Sequence, residues 1–470
     1  MDSQRPFPWR RFLPMLASLA IPVALQNLLT TTGSMVDTMM IAPLGERVVG
    51  AIGLCAQFTT LIFACYWGFV GGGMLFYAQY WGARDEEGIS RAYGTTFSIL
   101  LTIALFFMST ALFAPQWVMR LYTDKEAIQS IGIPYLRIVS LAYPLQILAI
   151  CMSSLLRSTE RVRIPLFASI ASCLANVFLN WVLIYGKFGL PRMGVRGAAL
   201  ATVVASALNL ALIVLLARLQ GFPYLFRFRS QFRWTRAWLR EYLRKCFPII
   251  CNELLVGIGF AVTNIVLGRQ SEESIAALAV FRTLEGLVIG FFAGFSNAAS
   301  VLVGKCVGAG ELDEAYERAK RLVYLCGGII LCVCLSLLAV HGPLLHAMSL
   351  SGESFRIGTG FLAIYCVAAL IRMCNWIQND TYRSAGDTTF GTVLEIVFMY
   401  LLVLPCVCLS GLVFHLPVLL VFACCYIDEP IRIVLMQRHM FSGRWIKPVT
   451  PQGRAAREEF LRRLDARVKR

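Results

Sequence analysis

One carboxylate in the first half of the chain stands among neutral polar residues in otherwise apolar sequence. Asp37 closes a long apolar stretch, and the nearest basic residue along the chain is Arg47. Asn176 and Asn180 are one helical turn apart, and Thr202 follows in a run of small residues. A carboxylate with amide and hydroxyl oxygens suits a hard cation, or a proton held on Asp37. We therefore predict a cation or proton site; the alternative is that the two Asn only join helices by hydrogen bonds.

Further carboxylates interrupt apolar stretches of the second half, at Glu253, Glu285, Asp380 and Glu395. Arg282 lies three residues before Glu285, on the same helix face, so these two groups are expected to neutralise each other. Asp380 is close to Arg383, which favours a salt bridge at the membrane interface. Arg372 has no partner that the sequence identifies.

The composition shows what must surround these groups. The chain has 470 residues, of which 58% are hydrophobic and 15% charged, with a mean hydropathy of +0.67. Soluble chains average roughly 45–50% apolar and about 25% charged residues. These values exclude a disordered or collagen-like chain and predict an all-α membrane protein. The length accommodates twelve transmembrane helices of ~20 residues, the last at 414–435.

The distribution of basic residues predicts the topology. With the N-terminus inside, 32 of the 43 Lys and Arg fall in inner loops, eight in outer loops and three within spans. Such a bias is expected when both termini are cytoplasmic in a multi-pass protein of the plasma (inner) membrane. The net charge of +16 is therefore a topology signal, with a secondary attraction to anionic membrane lipids, and we expect no nucleic-acid partner.

Cysteine, histidine and catalytic motifs give no sign of an enzyme. The sixteen Cys lie mostly in apolar stretches, and the four His are dispersed. No zinc-ligand spacing, GxSxG, HExxH or P-loop occurs. We expect no cofactor, no catalytic residue and no metal beyond a possible Na⁺ at Asp37.

The chain is an internal repeat with an offset of 226 residues. Pro22 aligns with Pro248, and Arg157-Ser158 aligns with Arg383-Ser384. The same offset pairs Asn27 with Glu253, so both halves place a polar group at one depth. Each half holds six spans, an even number, which predicts two six-helix lobes related by a pseudo-two-fold axis along the membrane normal. Pro22 should bend its helix, because proline removes a hydrogen bond to the residue four before it.

The repeat divides the chain into four parts. We predict an N-terminal lobe at 1–217, a basic cytoplasmic linker at 218–245, a C-terminal lobe at 246–437 and a basic cytoplasmic tail at 438–470. The linker alternates aromatic residues with arginines, so it is either an amphipathic helix on the inner membrane surface or a plain connecting loop.

Motifs in order along nearly the whole chain resemble the MATE family, the multidrug and toxic compound extrusion transporters. They are Pro22 followed by Asp37, Gln79-Tyr-Trp-Gly-Ala83, Leu156-Arg157-Ser158, Asn176 with Asn180, Gly194-Val195-Arg196-Gly197, Pro248, Gly308-Ala309-Gly310, Arg383 to Thr388 and Ser442 to Lys447. The resemblance implies export of small organic, often cationic, compounds in exchange for H⁺ or Na⁺ as the coupling ion. The two lobes would give alternating access, and one chain would work as a monomer.

The resemblance also implies residue roles. It centres the ion site on Asp37 and adds Tyr135 as a partner. A subgroup with second-lobe carboxylates would place one of them near Arg372, so that part of its pattern is missing here. We expect Glu253, with Glu285 and Asn27, to line the substrate cavity or to hold a second proton. The alternative functions are a lipid-linked oligosaccharide or lipid flippase of the same superfamily, and a membrane-embedded enzyme.

Overall fold

The structure of the protein is a computed structural model that describes residues 8–225, 227–348 and 350–468. It has helices and turns, and no strand within those ranges. The first nine helices are α1 Trp9–Ile41, α2 Glu46–Gly82, α3 Glu86–Phe113, α4 Pro115–Tyr122, α5 Glu126–Val139, α6 Ala142–Ser158, α7 Arg163–Tyr185, α8 Val195–Leu219 and α9 Phe228–Gln231. The others are α10 Arg236–Leu267, α11 Glu272–Ala309, α12 Leu312–Ala347, α13 Gly352–Ser384, α14 Phe390–Phe398, α15 Leu404–Cys408, α16 Val418–Cys424, α17 Glu429–Ser442 and α18 Pro451–Val468.

Ten helical stretches within the described residues are long and apolar enough to cross a membrane. An eleventh results if α5 and α6, which are bent by 47° at their junction, form one span. The region predicted as the twelfth span holds α16 and the start of α17, two helices separated by a turn at 425–428. This inventory confirms an all-α membrane protein and is consistent with twelve spans, the last of them broken.

The helix from Phe390 to Val413 is continuous but not uniform. Two π-helical segments, Met399–Val403 and Leu409–Val413, flank the short α15. The π-turns widen the helix locally, and such bulges are often found at functional sites. Pro405 is the second residue of α15, where its missing N–H coincides with this irregular hydrogen bonding.

The chain folds into two compact units. We call Leu25–Tyr77 with Asp85–Cys246 the N-unit, and the described residues of 1–24, Ala78–Arg84 and 247–470 the C-unit. The boundary after Cys246 is one residue past the start predicted for the C-terminal lobe, and the predicted linker at 218–245 belongs to the N-unit. The start of α1 and the end of α2 belong to the C-unit, so the units are not contiguous segments of sequence.

The N-unit is built on the close packing of α7 against α8 and of α3 against α6. Gly197 permits the first of these contacts, because a Cβ there would lie 2.7 Å from the backbone carbonyl of Leu183. The predicted linker is neither a plain loop nor one amphipathic helix. Its latter part is the first turns of α10, held on α3 by Trp238, whose Nε1 donates to Thr95 Oγ1 at 3.0 Å, and by the 2.8 Å bond between Tyr242 and Thr96.

The C-unit is built on α11, α12 and α13, which pack against one another. Its predicted basic tail is structured: 438–442 complete α17, and α18 packs on α11 and α12. Phe460 of α18 is buried beside the Tyr316 ring, and Arg463 pairs with Asp313 at 3.1 Å. The last helix is therefore an integral part of the C-unit.

Gln79 joins three parts of the C-unit by one fully buried side chain. Its Nε2 donates to the carbonyl of Ser384 at 2.8 Å, and its Oε1 accepts from the backbone N–H of Val449 at 2.8 Å. Gly308 lies beside it with no room for a Cβ, which would collide with the Gln79 backbone. Helices α2 and α11 are thus in direct backbone contact. The amide of Gln79 provides hydrogen-bond partners for the carbonyl of Ser384 and the N–H of Val449.

Candidate functional site

Three of the predicted site residues meet in the N-unit, at the end of α1 and the middle of α7. Asn180 Nδ2 donates to Asp37 Oδ1 at 2.7 Å and to Asn176 Oδ1 at 3.2 Å. The one-turn spacing of the two Asn on α7 brings both amides to the same face of that helix. Helix α1 is held there by the Tyr185 hydroxyl, which donates to the carbonyl of Met40 at 2.8 Å.

The Asp37 carboxylate is compensated by an amide and not by a charge. Asp37 is half-buried. It forms no ion pair with a Lys, Arg or His among the residues that the structure describes. Asn180 is 1% exposed, and its Oδ1 has no hydrogen-bond partner in the described part of the chain. A buried amide oxygen without a donor costs free energy, of the order of 1–3 kcal/mol. The site therefore offers two kinds of oxygen to a cation: a carboxylate and a neutral carbonyl.

Thr202 and Tyr135 come from the neighbouring helices of the N-unit. The Thr202 hydroxyl donates to the carbonyl of Ala198 at 3.0 Å, within its own helix, which leaves its oxygen lone pairs as acceptors. Tyr135 packs against a buried cluster that contains Ile41 and Ile184, and its phenol is near enough to interact electrostatically with Asp37. The structure thus brings Tyr135 to the neighbourhood of Asp37, whereas Thr202 and Asp37 form no hydrogen bond with each other in the described part of the chain.

Pro22 lies inside α1, which continues through it from Trp9 to Ile41. The proline has no N–H, so the carbonyl of Ser18 loses its helical donor at this turn. Pro14 is a second proline in the same helix. Helix α1 therefore lacks two helical hydrogen bonds on the N-terminal side of Asp37, and the bend expected at Pro22 stays a prediction.

A buried amide–arginine pair in the N-unit is not recognisable as a site from single residues of the sequence. Arg157 Nη2 donates to Gln26 Oε1 at 2.6 Å, and Gln26 Nε2 donates to Ser169 Oγ at 2.7 Å. The only sequence feature that pointed to this pair was the match of Arg157-Ser158 with Arg383-Ser384 across the repeat. Gln26 was missed because an uncharged amide in an apolar helix does not stand out.

Glu285 of the C-unit is bound by two arginines. Arg282 Nη1 lies 2.5 Å from Glu285 Oε2, and Arg372 Nη1 lies 3.0 Å from Glu285 Oε1. The partner of Arg372, which the sequence did not identify, is thus Glu285, and its guanidinium also lies 5.5 Å from the rings of Phe260 and Tyr426. Glu285 is 4% exposed and pairs with two arginines. This arrangement supports the prediction that the Glu285 charge is neutralised within the protein.

Glu253 contacts the arginine of the repeat motif. Arg383 Nη1 lies 3.4 Å from Glu253 Oε1 and 3.6 Å from Asp380 Oδ1, so the salt bridge predicted for Asp380 is present. Asn27, in the repeat-equivalent position of Glu253, is half-buried in the N-unit part of α1. Glu253 is half-buried in the C-unit as well, so the two positions are alike in burial within their own units.

The family of the chain follows from a sequence comparison. The sequence model of the MatE family matches residues 22–182 and again 248–409, so the two matches begin 226 residues apart, as the internal repeat does. The matches cover well over half of the chain. The protein belongs to the MatE family, and it is a multi-pass membrane transporter.

Individual relatives and solved structures agree with this family. The chain is 22% identical over 436 residues to the "Uncharacterized transporter YisQ" of Bacillus subtilis, covering 92% of this chain and 95% of that protein. It is 27% identical over 382 residues to the "Probable multidrug resistance protein NorM" of Burkholderia pseudomallei, covering 79% and 80%. A crystal structure of the Vibrio cholerae MATE transporter VcmN has a TM-score of 0.83 at 15% identity, with 92% and 96% covered. At this identity, the structural likeness establishes the fold.

Proposed function

We propose that the protein is a secondary active antiporter that exports small organic, cationic compounds in exchange for H⁺ or Na⁺. We place it in the plasma membrane with both termini cytoplasmic, acting as a monomer that opens alternately to each side. Relatives named as multidrug resistance proteins support the export of varied organic compounds. The neutral polar surroundings of the Asp37 carboxylate support coupling to a cation.

The observation that carries the proposal is the neutral environment of Asp37. A carboxylate within a membrane span that has no cationic partner in the described structure, and one hydrogen bond from an amide, is poised to take up a positive charge. Glu285 serves as an internal contrast, since two arginines already satisfy it. Only the first arrangement gains electrostatic free energy when a proton or Na⁺ arrives.

The hydrogen bond between Asn180 and Asp37 should change when Asp37 takes up a cation. An ionised carboxylate needs a donor, and Nδ2 supplies it in the present geometry. A protonated carboxyl needs an acceptor instead, and a Na⁺ bound to the carboxylate needs further oxygen ligands; Asn180 Oδ1 is available for either role. Rotation of the amide would break its bond to Asn176, so cation binding rearranges hydrogen bonds along α7 as well as α1.

Coupling requires this rearrangement to favour one conformation of the transporter over the other. A cation that bound both conformations equally would shift nothing. Pro22 gives α1 a turn at which it can bend when the charge on Asp37 is lost. Cation entry at Asp37 would thereby lower the affinity for the exported compound, and by linkage the compound would lower the affinity for the cation.

The test is efflux of a fluorescent organic cation from energised vesicles under an imposed Na⁺ or pH gradient. Asp37→Asn should abolish the gradient-driven component, because the amide cannot take up a proton or replace the carboxylate charge. Glu46→Gln, which removes an exposed carboxylate at the start of α2, is the matched control and should keep it. Absence of efflux in the wild type under both gradients would refute the export proposal. Full coupling in Asp37→Asn would move the ion site elsewhere.

Glu253, Glu285 and Asn27 remain candidates for the substrate cavity or a second proton. Glu253→Gln tests this directly, since it removes the charge and retains the shape. Unchanged transport in that variant would remove Glu253 from the proposal.

A further inference from the structure

Arg157 of the N-unit carries a positive charge that no carboxylate balances in the described part of the chain. It lies in the last turn of α6, where its Nη2 donates to the neutral Gln26 Oε1 at 2.6 Å. Gln26 in turn donates to Ser169 Oγ at 2.7 Å, so the groups that hold the guanidinium are uncharged. The negative end of the α6 dipole compensates about half a charge. An arginine in a membrane span normally pairs with an opposite charge or lines a ligand pathway.

The C-unit shows what is missing around Arg157. Its repeat equivalent, Arg383, donates through the same nitrogen, Nη2, to Asn252 Oδ1 at 2.6 Å. The other terminal nitrogen of Arg383, Nη1, lies 3.4 Å from Glu253 Oε1 and 3.6 Å from Asp380 Oδ1. In the C-unit, one nitrogen of the arginine is therefore held by an amide and the other is bound by two acids.

The corresponding positions of the N-unit hold neutral side chains. Asn27 stands in the place of Glu253, and Ser154 stands in the place of Asp380. Each of the two is also shorter than the acid at the equivalent position. Arg157 Nη1 forms no hydrogen bond among the described residues, and it is not buried. The N-unit thus keeps the arginine–amide pair and leaves the second nitrogen of the guanidinium open to a ligand.

Asp37 does not supply the missing negative charge. Gln26 and Asp37 are eleven residues apart on α1, and their partners Ser169 and Asn180 are eleven residues apart on α7. Eleven residues make about three helical turns, a rise of about 16 Å. The two hydrogen-bonded pairs therefore lie along the same contact between α1 and α7, but too far apart for Asp37 and Arg157 to form an ion pair.

An oxyanion is the ligand that fits this arrangement. A guanidinium binds carboxylate and phosphate by charge-assisted hydrogen bonds, which are stronger than those between neutral groups. The bond to Gln26 fixes the orientation of the Arg157 guanidinium through one nitrogen. The Tyr66 side chain, which is 2% exposed, is near enough to interact electrostatically with Arg157 and adds a phenol but no charge. A neutral or cationic ligand would leave the charge of Arg157 unbalanced.

We propose that Arg157, held by Gln26 and Ser169, is a binding site for one oxyanion group, a carboxylate or a phosphate, in the N-unit. The group comes either from a small organic acid or from the headgroup of an anionic lipid, since both present the same oxygens to the guanidinium. It takes the place that Glu253 and Asp380 fill in the C-unit. The site does not depend on the proposed export, because its occupancy is measured without transport.

Binding of 4-fluorobenzoate to the purified full-length protein, followed by fluorine NMR, tests the site. The protein is kept in a maltoside detergent, whose headgroup carries no oxyanion, and 4-fluorobenzamide is the uncharged analogue. We expect the wild type to bind the benzoate more tightly than the benzamide. Arg157→Gln should weaken benzoate binding by about 10–100-fold, the loss of one charge-assisted hydrogen bond. Arg163→Gln removes an exposed positive charge at the start of α7 and is the matched control, with unchanged binding.

A variant with an added carboxylate guards against misfolding of Arg157→Gln. Asn27→Glu introduces the acid that the C-unit has at Glu253, which lies 3.4 Å from its arginine. We expect this variant to fold and to lose benzoate binding, because its own carboxylate occupies Arg157 Nη1. Asn27→Gln has nearly the same size without the charge and should keep binding. Equal benzoate affinity in the wild type, Arg157→Gln and Asn27→Glu would refute the site, and so would equal affinity for benzoate and benzamide in all of them.

A lipid arm identifies the source of the oxyanion. Short-chain phosphatidylglycerol is added to the same detergent-purified variants, and retained lipid is counted by native mass spectrometry. If the headgroup phosphate is the ligand, the wild type and Arg163→Gln should retain one lipid that Arg157→Gln and Asn27→Glu lose. Benzoate binding that depends on Arg157, without such a lipid, identifies a soluble acid as the ligand. If neither benzoate nor lipid binding depends on Arg157, the proposal is overturned and the proposed export is unaffected.

Discussion

Gln79→Met should destabilise the protein strongly, although methionine has nearly the same length and volume as glutamine. The side chain is fully buried in the C-unit, where it donates to the carbonyl of Ser384 and accepts from the N–H of Val449, both at 2.8 Å. Methionine fills the same space but can make neither bond in any useful strength. The variant therefore isolates hydrogen bonding from packing.

The magnitude follows from the two backbone groups that lose their partners. A buried donor or acceptor left without a hydrogen bond costs about 1–3 kcal/mol. Two such groups give roughly 2–6 kcal/mol, offset in part by the lower desolvation cost of the thioether, of the order of 1–2 kcal/mol. We expect a net loss of about 1–4 kcal/mol, a large share of the stability of a typical protein.

The assay is thermal unfolding in detergent followed by intrinsic fluorescence. Gln452→Met, the same substitution at an exposed position of α18, is the matched control and should leave Tm unchanged. Limited trypsin digestion of Gln79→Met should also release the segment after Val449, since one of its anchors is gone. If Gln79→Met and Gln452→Met unfold at the same temperature, the assigned role of Gln79 is wrong.

Two further predictions concern the same region of the C-unit. Asp387 is buried, which alone would raise its pKa, but bonds from His439 at 2.9 Å and Lys447 at 3.0 Å hold the pKa below the ordinary value for Asp. The ionised Asp387 should stabilise the folded protein above about pH 4, and this stabilisation should be lost as the pH falls through the lowered pKa. The difference in Tm between wild type and Asp387→Asn should therefore narrow in acid. Gly308→Ala should reduce the free energy of unfolding by about 1–3 kcal/mol, because the added Cβ collides with the Gln79 backbone. It should lower Tm more than the control Gly328→Ala, where nothing lies within 4 Å of the added Cβ.

The sequence was informative wherever a single residue was unusual for its surroundings. Asp37 was identified because it is a carboxylate in an apolar helix without a nearby cation, and the structure places Asn180 against it. The i,i+3 spacing of Arg282 and Glu285 predicted their pairing, because neighbours on one helix face can be read from position alone. Repeats and family motifs likewise require no knowledge of packing.

Contacts between distant segments were not predictable in this way. Arg372 had no identifiable partner because Glu285 lies 87 residues away on another helix. The amide of Gln26 was overlooked because its bond to Arg157 depends on how α1 packs on α6. The C-terminal segment is predicted as a basic tail because its charges are evident, whereas the buried face of α18 depends on a partner surface formed by α11 and α12.

The separation of Gln79 from Val449 has a consequence for biosynthesis. The two residues are 370 positions apart, and a ribosome adding 5–20 residues per second needs roughly 20–75 s to cover that distance. During this interval α2 is already in the membrane, but the N–H of Val449 that will donate to Gln79 Oε1 has not yet been synthesised. A translating chain must therefore keep this amide hydrated or bound by another molecule, and the C-unit cannot reach its final hydrogen bonding until translation is nearly complete.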